Sequence, residues 1–363
     1  MAGGKDVLPP RTSSAGVWLA LAAAACFGVF APAARAAVRD VEPLRAAALA
    51  YLAAGAVASA AWLVRRAAGG GPLGHAPTGR SLPRLLAMTL LGGVLGPALF
   101  FAGVARVPAH AVAVLQHLEF ALTALAAVLV LGERLGRRGW AGLALVGGGI
   151  LLLSTLAGGG ERPADLSAFG LLLLLGACAA WAADNTLARG ASDLDPLAVV
   201  AFKGLGAGAV LAACSRGSWD MTPRTWLVVL LAGGLGIGVS LVLELLALRR
   251  IGAALNAGLF ATGPAFGFLW SLFFLRERSG ALAWAALTLS LAGAVALALD
   301  RHAHVHVHPA VRHAHRHHHR DGHHDHAHEE AVEPGLAHVH EHAHGRVEHA
   351  HPHVHGDDHR HRH

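Results

Sequence analysis

Between about residue 15 and residue 300 the chain is a succession of apolar runs, each about 20 residues long and broken by Arg, Gly or Pro. A helix of about 20 residues is what the hydrocarbon layer of a bilayer requires. Backbone polar groups find no water there, so a spanning segment must be a helix or part of a closed barrel. A barrel needs short strands that alternate apolar and polar residues, and these are absent. Ala, Leu, Val and Gly dominate the runs, and small side chains let helices approach closely in lipid. With 54% hydrophobic and 14% charged residues, mean hydropathy reaches +0.49 even with a polar tail averaged in. The chain reads as an all-α integral membrane protein with the lipid bilayer as its first partner.

Ten spans are expected, roughly at 16–36, 43–64, 84–105, 108–131, 138–157, 167–188, 196–214, 225–248, 252–275 and 280–299. An even number puts both termini on one side. With the N-terminus inside, the cytoplasmic loops hold Arg65, Arg66, Arg80 and Arg84, then Arg134, Arg137 and Arg138, then Arg249 and Arg250. The opposite side holds fewer, including Arg35, Arg39, Arg106, Arg216 and Arg224. The positive-inside rule therefore predicts an inner-membrane protein with a cytoplasmic N-terminal segment (1–15) and a cytoplasmic tail. Lys5 and Arg11 precede a long first span without a clear cleavage site, so that span is read as a retained helix. The net charge of +6 comes from Arg beside spans and in the tail, and no specific nucleic-acid partner is expected. Cys26, Cys178 and Cys214 lie within apolar runs without C-x-x-C spacing and read as packing residues.

An internal repeat decides the architecture. Leu131-Gly132-Glu133-Arg134 ends span four as Leu275-Arg276-Glu277-Arg278 ends span nine, and Trp140 and Trp284 follow at equal distances. Glu42-Pro43-Leu44 opens span two as Asp195-Pro196-Leu197 opens span seven. Phe27-Gly28 with Arg35 matches Trp181-Ala182 with Arg189. Five spans separate the copies, so the halves have opposite orientations in the membrane. Inverted repeats of this kind build transporters whose site lies where the repeats meet. The halves are 16–157 and 167–299, followed by a tail from 301 to 363.

These motifs resemble the EamA-type members of the drug/metabolite transporter superfamily, over nearly the whole membrane core. Leu118-Glu119-Phe120 through Leu135 and Gly263-Pro264 through Arg278 are similar to that family's most recognisable segments. Trp181, Asp184, Asn185, Arg189, Asp195-Pro196 and Lys203-Gly204 resemble a bacterial subgroup whose members often end in His-rich tails. The resemblance implies ten helices in two inverted five-helix repeats, and export or exchange of a small solute. One departure is Phe120, where the family often has Pro; Pro264 keeps it in the second half.

A charge at mid-membrane costs about 2.5–3.5 kcal/mol on insertion scales, so embedded charges mark candidate substrate sites. Asp184 and Asn185 in span six and Lys203 in span seven form the sharpest set. They fit either a structural ion pair or a site that holds an ion and a substrate group in turn. Asp184 is also a candidate for proton coupling, because a buried carboxylate readily takes a proton. His117 and Glu119 in span four and Glu244 in span eight complete the candidate set. At 100° per residue His110 and His117 share one face, whereas Glu119 lies with Gln116 on another, so span four alone builds no metal site. Glu133 and Glu277, beside Arg134 and Arg278, are expected to anchor or gate helix ends. Gly92-Gly93, Gly147 to Gly149 and Gly233-Gly234 lack a following Gly-Lys-Ser/Thr and are packing glycines rather than a phosphate loop. No nucleophile–base spacing appears, so an enzyme is not expected.

Of 27 histidines, all but His75, His110 and His117 lie beyond Arg301. The metal-ligand candidates are His302, His304, His306, His308, His317, His318, His319, His338, His340, His342 and His344. Too little apolar surface is present to bury a core, which predicts a disordered tail. Mostly neutral imidazoles without thiolate suit Zn²⁺, Ni²⁺, Co²⁺ or Cu²⁺, in many overlapping weak sites. No cofactor is required. The expected activity is secondary transport of a small solute by alternating access, with a metal-binding tail. The rivals are a divalent-metal transporter whose tail collects cargo, and a membrane-tethered metal store or sensor. Protons as coupling ion and a second copy of the chain complete the expected partners.

Overall fold

The computed structural model describes residues 14–71, 73–132, 135–158, 167–191, 193–216 and 218–300, with 301–308, 311–317, 338–344 and 347–354 in the tail. Ten helices carry the apolar runs. The first half has α1 (Ser14–Ala37), α2 (Pro43–Ala67), α3 (Leu82–Val104), α4 (Ala109–Leu131) and α5 (Arg137–Gly158). The second has α6 (Ala168–Arg189), α7 (Pro196–Cys214), α8 (Pro223–Ile251), α9 (Ala253–Phe260 with Gly263–Phe274) and α10 (Ala281–Ala298). Nine of them, all but α5, are long and apolar enough among the described residues to cross a membrane. The 22-residue α5 starts at Arg137-Arg138 and occupies the place of the expected fifth span.

The repeated motifs turn out to be helix-end devices. Glu42 accepts hydrogen bonds from the N–H groups of Leu44 and Arg45, and Pro43 takes the first helical position, where its missing N–H costs nothing. Asp195 does the same for Leu197 and Ala198 ahead of Pro196. At the far end of α4, Gly132 ends the helix at φ 68°, and Arg276 adopts φ 54° in the matching place after α9.

Packing follows the inverted repeat: α1 lies on α8 as α6 lies on α3, α2 meets α7, and α5 meets α10. At the α2–α7 crossing two glycines touch, since a Cβ on Gly204 would fall 2.6 Å from the Cα of Gly55. Close backbone approach of this kind supplies the dispersion contact that replaces a hydrophobic drive in lipid. Helix α4 is continuous through Phe120, whereas α9 is interrupted at Ala261-Thr262, just before Gly263-Pro264. Proline removes a backbone donor and clashes with the preceding turn, so the half that keeps it is the half that breaks.

Both α3 and α8 wind as π-helix at mid-length, over Thr89–Leu95 and Leu231–Val239. Each stretch contains one of the Gly-Gly pairs, which the sequence marked as packing residues only. The buried centre is aromatic and small: Phe30, Phe100, Phe101 and Phe268 are fully or almost fully enclosed among alanines. Of the cysteines, Cys178 is buried, Cys26 half-buried and Cys214 exposed; all three are free thiols.

In the tail, the described residues form four short strands, β1 (Arg301–His308), β2 (Val311–His317), β3 (His338–His344) and β4 (Val347–Val354). β1 pairs with β4, and β2 pairs antiparallel with β3. A core is not needed for this, because ladder hydrogen bonds join backbones and the alternating His-x-His pattern matches the two-residue period of a strand. His318 and His319 lie outside the described residues, as do residues 1–13, Glu133 and Arg134.

Candidate functional site

The substrate candidates from α6 and α7 come together. The Lys203 ammonium donates to Asp184 Oδ2, forming a partly buried ion pair. Asp184 is 6% exposed, and its Oδ1 has no hydrogen-bond partner. Glycine makes the pair possible from the first repeat: a Cβ on Gly92 of α3 would fall 2.0 Å from Asp184 Oδ2.

Gly92 also supplies an acceptor, for a reason set by local geometry. In the π-helical turn the Gly96 N–H bonds to Leu91 O, and Pro97, five residues after Gly92, has no N–H to give. The Gly92 carbonyl is thereby left to side chains. Tyr51 Oη donates to it at 3.2 Å and Trp181 Nε1 at 3.1 Å, one from each repeat. Trp181 in turn packs against Phe100, with ring centroids 5.2 Å apart.

Glu119 joins the same cluster from α4. Its Oε1 accepts from Asn185 Nδ2 at 3.0 Å across the repeat boundary, and Thr123 Oγ1 lies 3.4 Å from the same nitrogen. The Glu119 carboxylate interacts through space with Asp184, Lys203 and Glu244. Glu244 of α8 faces Asn256 of α9 and borders a cleft of about 220 Å³ with Ala58, Pro196, Val200, Gly238 and Leu245. Lys203 lies seven residues into α7 and Glu244 seven before the end of α8. Both are therefore about 10 Å deep from the same end of the bundle.

His117 is not brought to this cluster by any hydrogen bond. It is fully buried, its Nδ1 bonds to Val114 O at 3.2 Å, and its Nε2 has no partner. Among the described residues no group of three or more His, Cys, Asp or Glu converges as a metal site. Sequence reasoning missed Tyr51, Gly92, Thr123 and Asn256. Tyr51 carried a signal, being the chain's single tyrosine and standing inside an apolar span.

At the opposite ends of α4 and α9, Glu277 ties the repeats together. Its carboxylate accepts from the N–H groups of Ala109 and His110 at 2.9 and 3.0 Å and from His110 Nδ1 at 2.8 Å. Burial alone would raise its pKa, but these bonds together hold it below the ordinary glutamate value. Glu277 thus caps the start of α4 from the other repeat, an anchoring role in line with its place at a helix end.

Comparison with known proteins follows the same lines. A model of the EamA-like transporter family matches residues 14–155 and again 168–299, one match for each repeat. A solved chain described only as "Crystal structure of protein" has a similar fold, with a TM-score of 0.55 and 20% identity. The likeness covers 78% of this chain and 96% of that one. No curated protein matches. Two family matches spanning both halves leave one conclusion: the chain belongs to the EamA-like transporter family and is a multi-pass membrane protein of the transporter type.

Proposed function

We propose that the protein is an inner-membrane permease of the drug/metabolite transporter type that moves a small organic solute by alternating access. The observation that carries this reading is the charged cluster of Asp184, Lys203 and Glu119 at the contact of the two repeats. Embedded charge is costly unless it serves a pathway, and inverted repeats meet at such sites in transporters. The Glu277 cap joins the repeats at one end of the bundle, while the Glu244 cleft opens toward the other. A barrier at one end and a cleft at the other is what rocking of one repeat against the other requires. The carboxylates also suit proton coupling, since a solute leaving the site exposes acids that protons can neutralise.

The tail is proposed to bind Zn²⁺, Ni²⁺, Co²⁺ or Cu²⁺. The β2–β3 register supports this, because His313, His315 and His317 stand opposite His342, His340 and His338. Metal as cargo is the second reading, with the tail as collector.

Proteoliposomes loaded with a pH-sensitive dye test both readings, using amino acids, amines, Zn²⁺, Ni²⁺ and Co²⁺ with the full chain and a chain cut after Asp300. Organic-solute flux in both chains, abolished by Lys203→Ala, is the expected result. Metal flux weakened by the cut would instead make metal the cargo. Metal binding with no flux of any kind would leave a membrane-tethered store or sensor.

A further inference from the structure

The polar atoms of the inter-repeat site are out of balance. Asp184 pairs with the Lys203 ammonium, Glu119 interacts with both of them, and a third carboxylate, Glu244, interacts with Glu119. Four donors of the cluster are engaged within it, Lys203 with Asp184, Asn185 Nδ2 with Glu119, and both Tyr51 Oη and Trp181 Nε1 with Gly92 O, while Gln116 Nε2 of α4 is a buried donor without a partner. Acceptors remain. Asp184 Oδ1 has no partner, and neither does Oδ1 of Asn256, which faces Glu244 and is 3% exposed. A buried acceptor left unpaired is costly, so a site with two of them is complementary to a ligand that donates.

We infer that the transported solute is an organic cation bearing several N–H donors, such as a guanidinium or ammonium compound, held by Glu119, Glu244, Asp184 and Asn256. This rests on the proposal that the site carries cargo, and adds the class of that cargo. A bare metal ion fits less well, since it needs its oxygens gathered within about 2–2.6 Å of one point. Among the described residues no such gathering of three ligands occurs. The acceptors are instead spread over α4, α6, α8 and α9, as an extended organic cation requires.

Calorimetry on the purified full chain in detergent, with four probes, tests this. Propylguanidinium carries charge and donors, propylurea is its neutral isostere, tetraethylammonium has charge without N–H, and butyrate is an anion. Propylguanidinium should bind at least about tenfold more tightly than the other three, given the strength of charged hydrogen bonds. Glu244→Gln and Asn256→Ala should each weaken it about tenfold while the protein stays monodisperse. Glu244→Asp should restore part of the affinity. Equal binding of propylurea, or preference for butyrate, would overturn the inference. So would unchanged affinity in both Glu244→Gln and Asn256→Ala. Binding without flux in proteoliposomes would overturn the transport reading and leave this one standing. Flux of another solute without guanidinium binding would do the reverse.

Discussion

The contact of α1 with α8 and the contact of α6 with α3 are the same structural unit used twice, with opposite chemistry. Counting from Phe27 and Trp181, Asp184 corresponds to Phe30; counting from Pro43 and Pro196, Lys203 corresponds to Ala50. Phe30 lies against Gly236 in the π-helical part of α8, as Asp184 lies against Gly92 in that of α3. At the first contact Phe30 stacks on Phe100 of α3, 4.7 Å between ring centroids, whereas at the second Asp184 pairs with Lys203 of α7. Duplication preserved backbone spacing, caps and close approach. Charge was put on one side only.

The comparison breaks if charge at the second contact is dispensable. Lys203→Ala should abolish flux in proteoliposomes while expression persists, and leaving Asp184 buried without its partner should cost about 3–5 kcal/mol of stability. Combining it with Asp184→Ala should recover most of the melting temperature and none of the flux. Near-normal flux in Lys203→Ala would reduce the pair to a structural one. Steric demand gives the next largest effect. Gly92→Ala forces its Cβ into Asp184 and should cost about 1–3 kcal/mol in thermal unfolding. Gly234→Ala, whose Cβ would meet only Val57 at 3.9 Å, should change nothing measurable.

The helix ends give smaller effects. Glu277→Ala removes the cap of α4 and should cost about 1–2 kcal/mol. Because the folded protein holds this carboxylate below its unfolded value, its contribution is complete above the unfolded pKa and is lost as pH falls through the folded one. Wild-type stability should therefore drop as pH falls below about 4.3, and Glu277→Gln should flatten that drop. The smallest change is a gain. Arg276 sits at φ 54° where the other repeat has Gly132, so Arg276→Gly should stabilise the protein by about 1 kcal/mol, read as a higher melting temperature.

Much of the fold was legible because its signals are local. Apolar length shows a helix, and Glu42-Pro43 and Asp195-Pro196 show where two of them start. The inverted repeat was legible because cap motifs must recur wherever the same turns recur. Of the site, Asp184, Asn185, Lys203, Glu119 and Glu244 stood out because charge inside an apolar run is conspicuous. Tyr51 and Gly92 did not, since their roles depend on a π-helical turn and on Pro97 withholding a donor from a particular carbonyl. In the tail, the pairing of β2 with β3 follows a strand register that the His-x-His spacing alone does not specify.

By itself, then, the sequence determined an all-helical membrane core, two inverted halves and a set of embedded charges, all of which follow from hydropathy and cap chemistry along one stretch of chain. Only the tertiary structure decided which charges meet. It joined Glu119 to Asn185 across the repeats and enclosed Asp184 with Lys203, while leaving His117 bonded only within its own helix. Those pairings depend on which helices cross and how closely their glycines let them approach, and neither is written in the order of residues along a single helix.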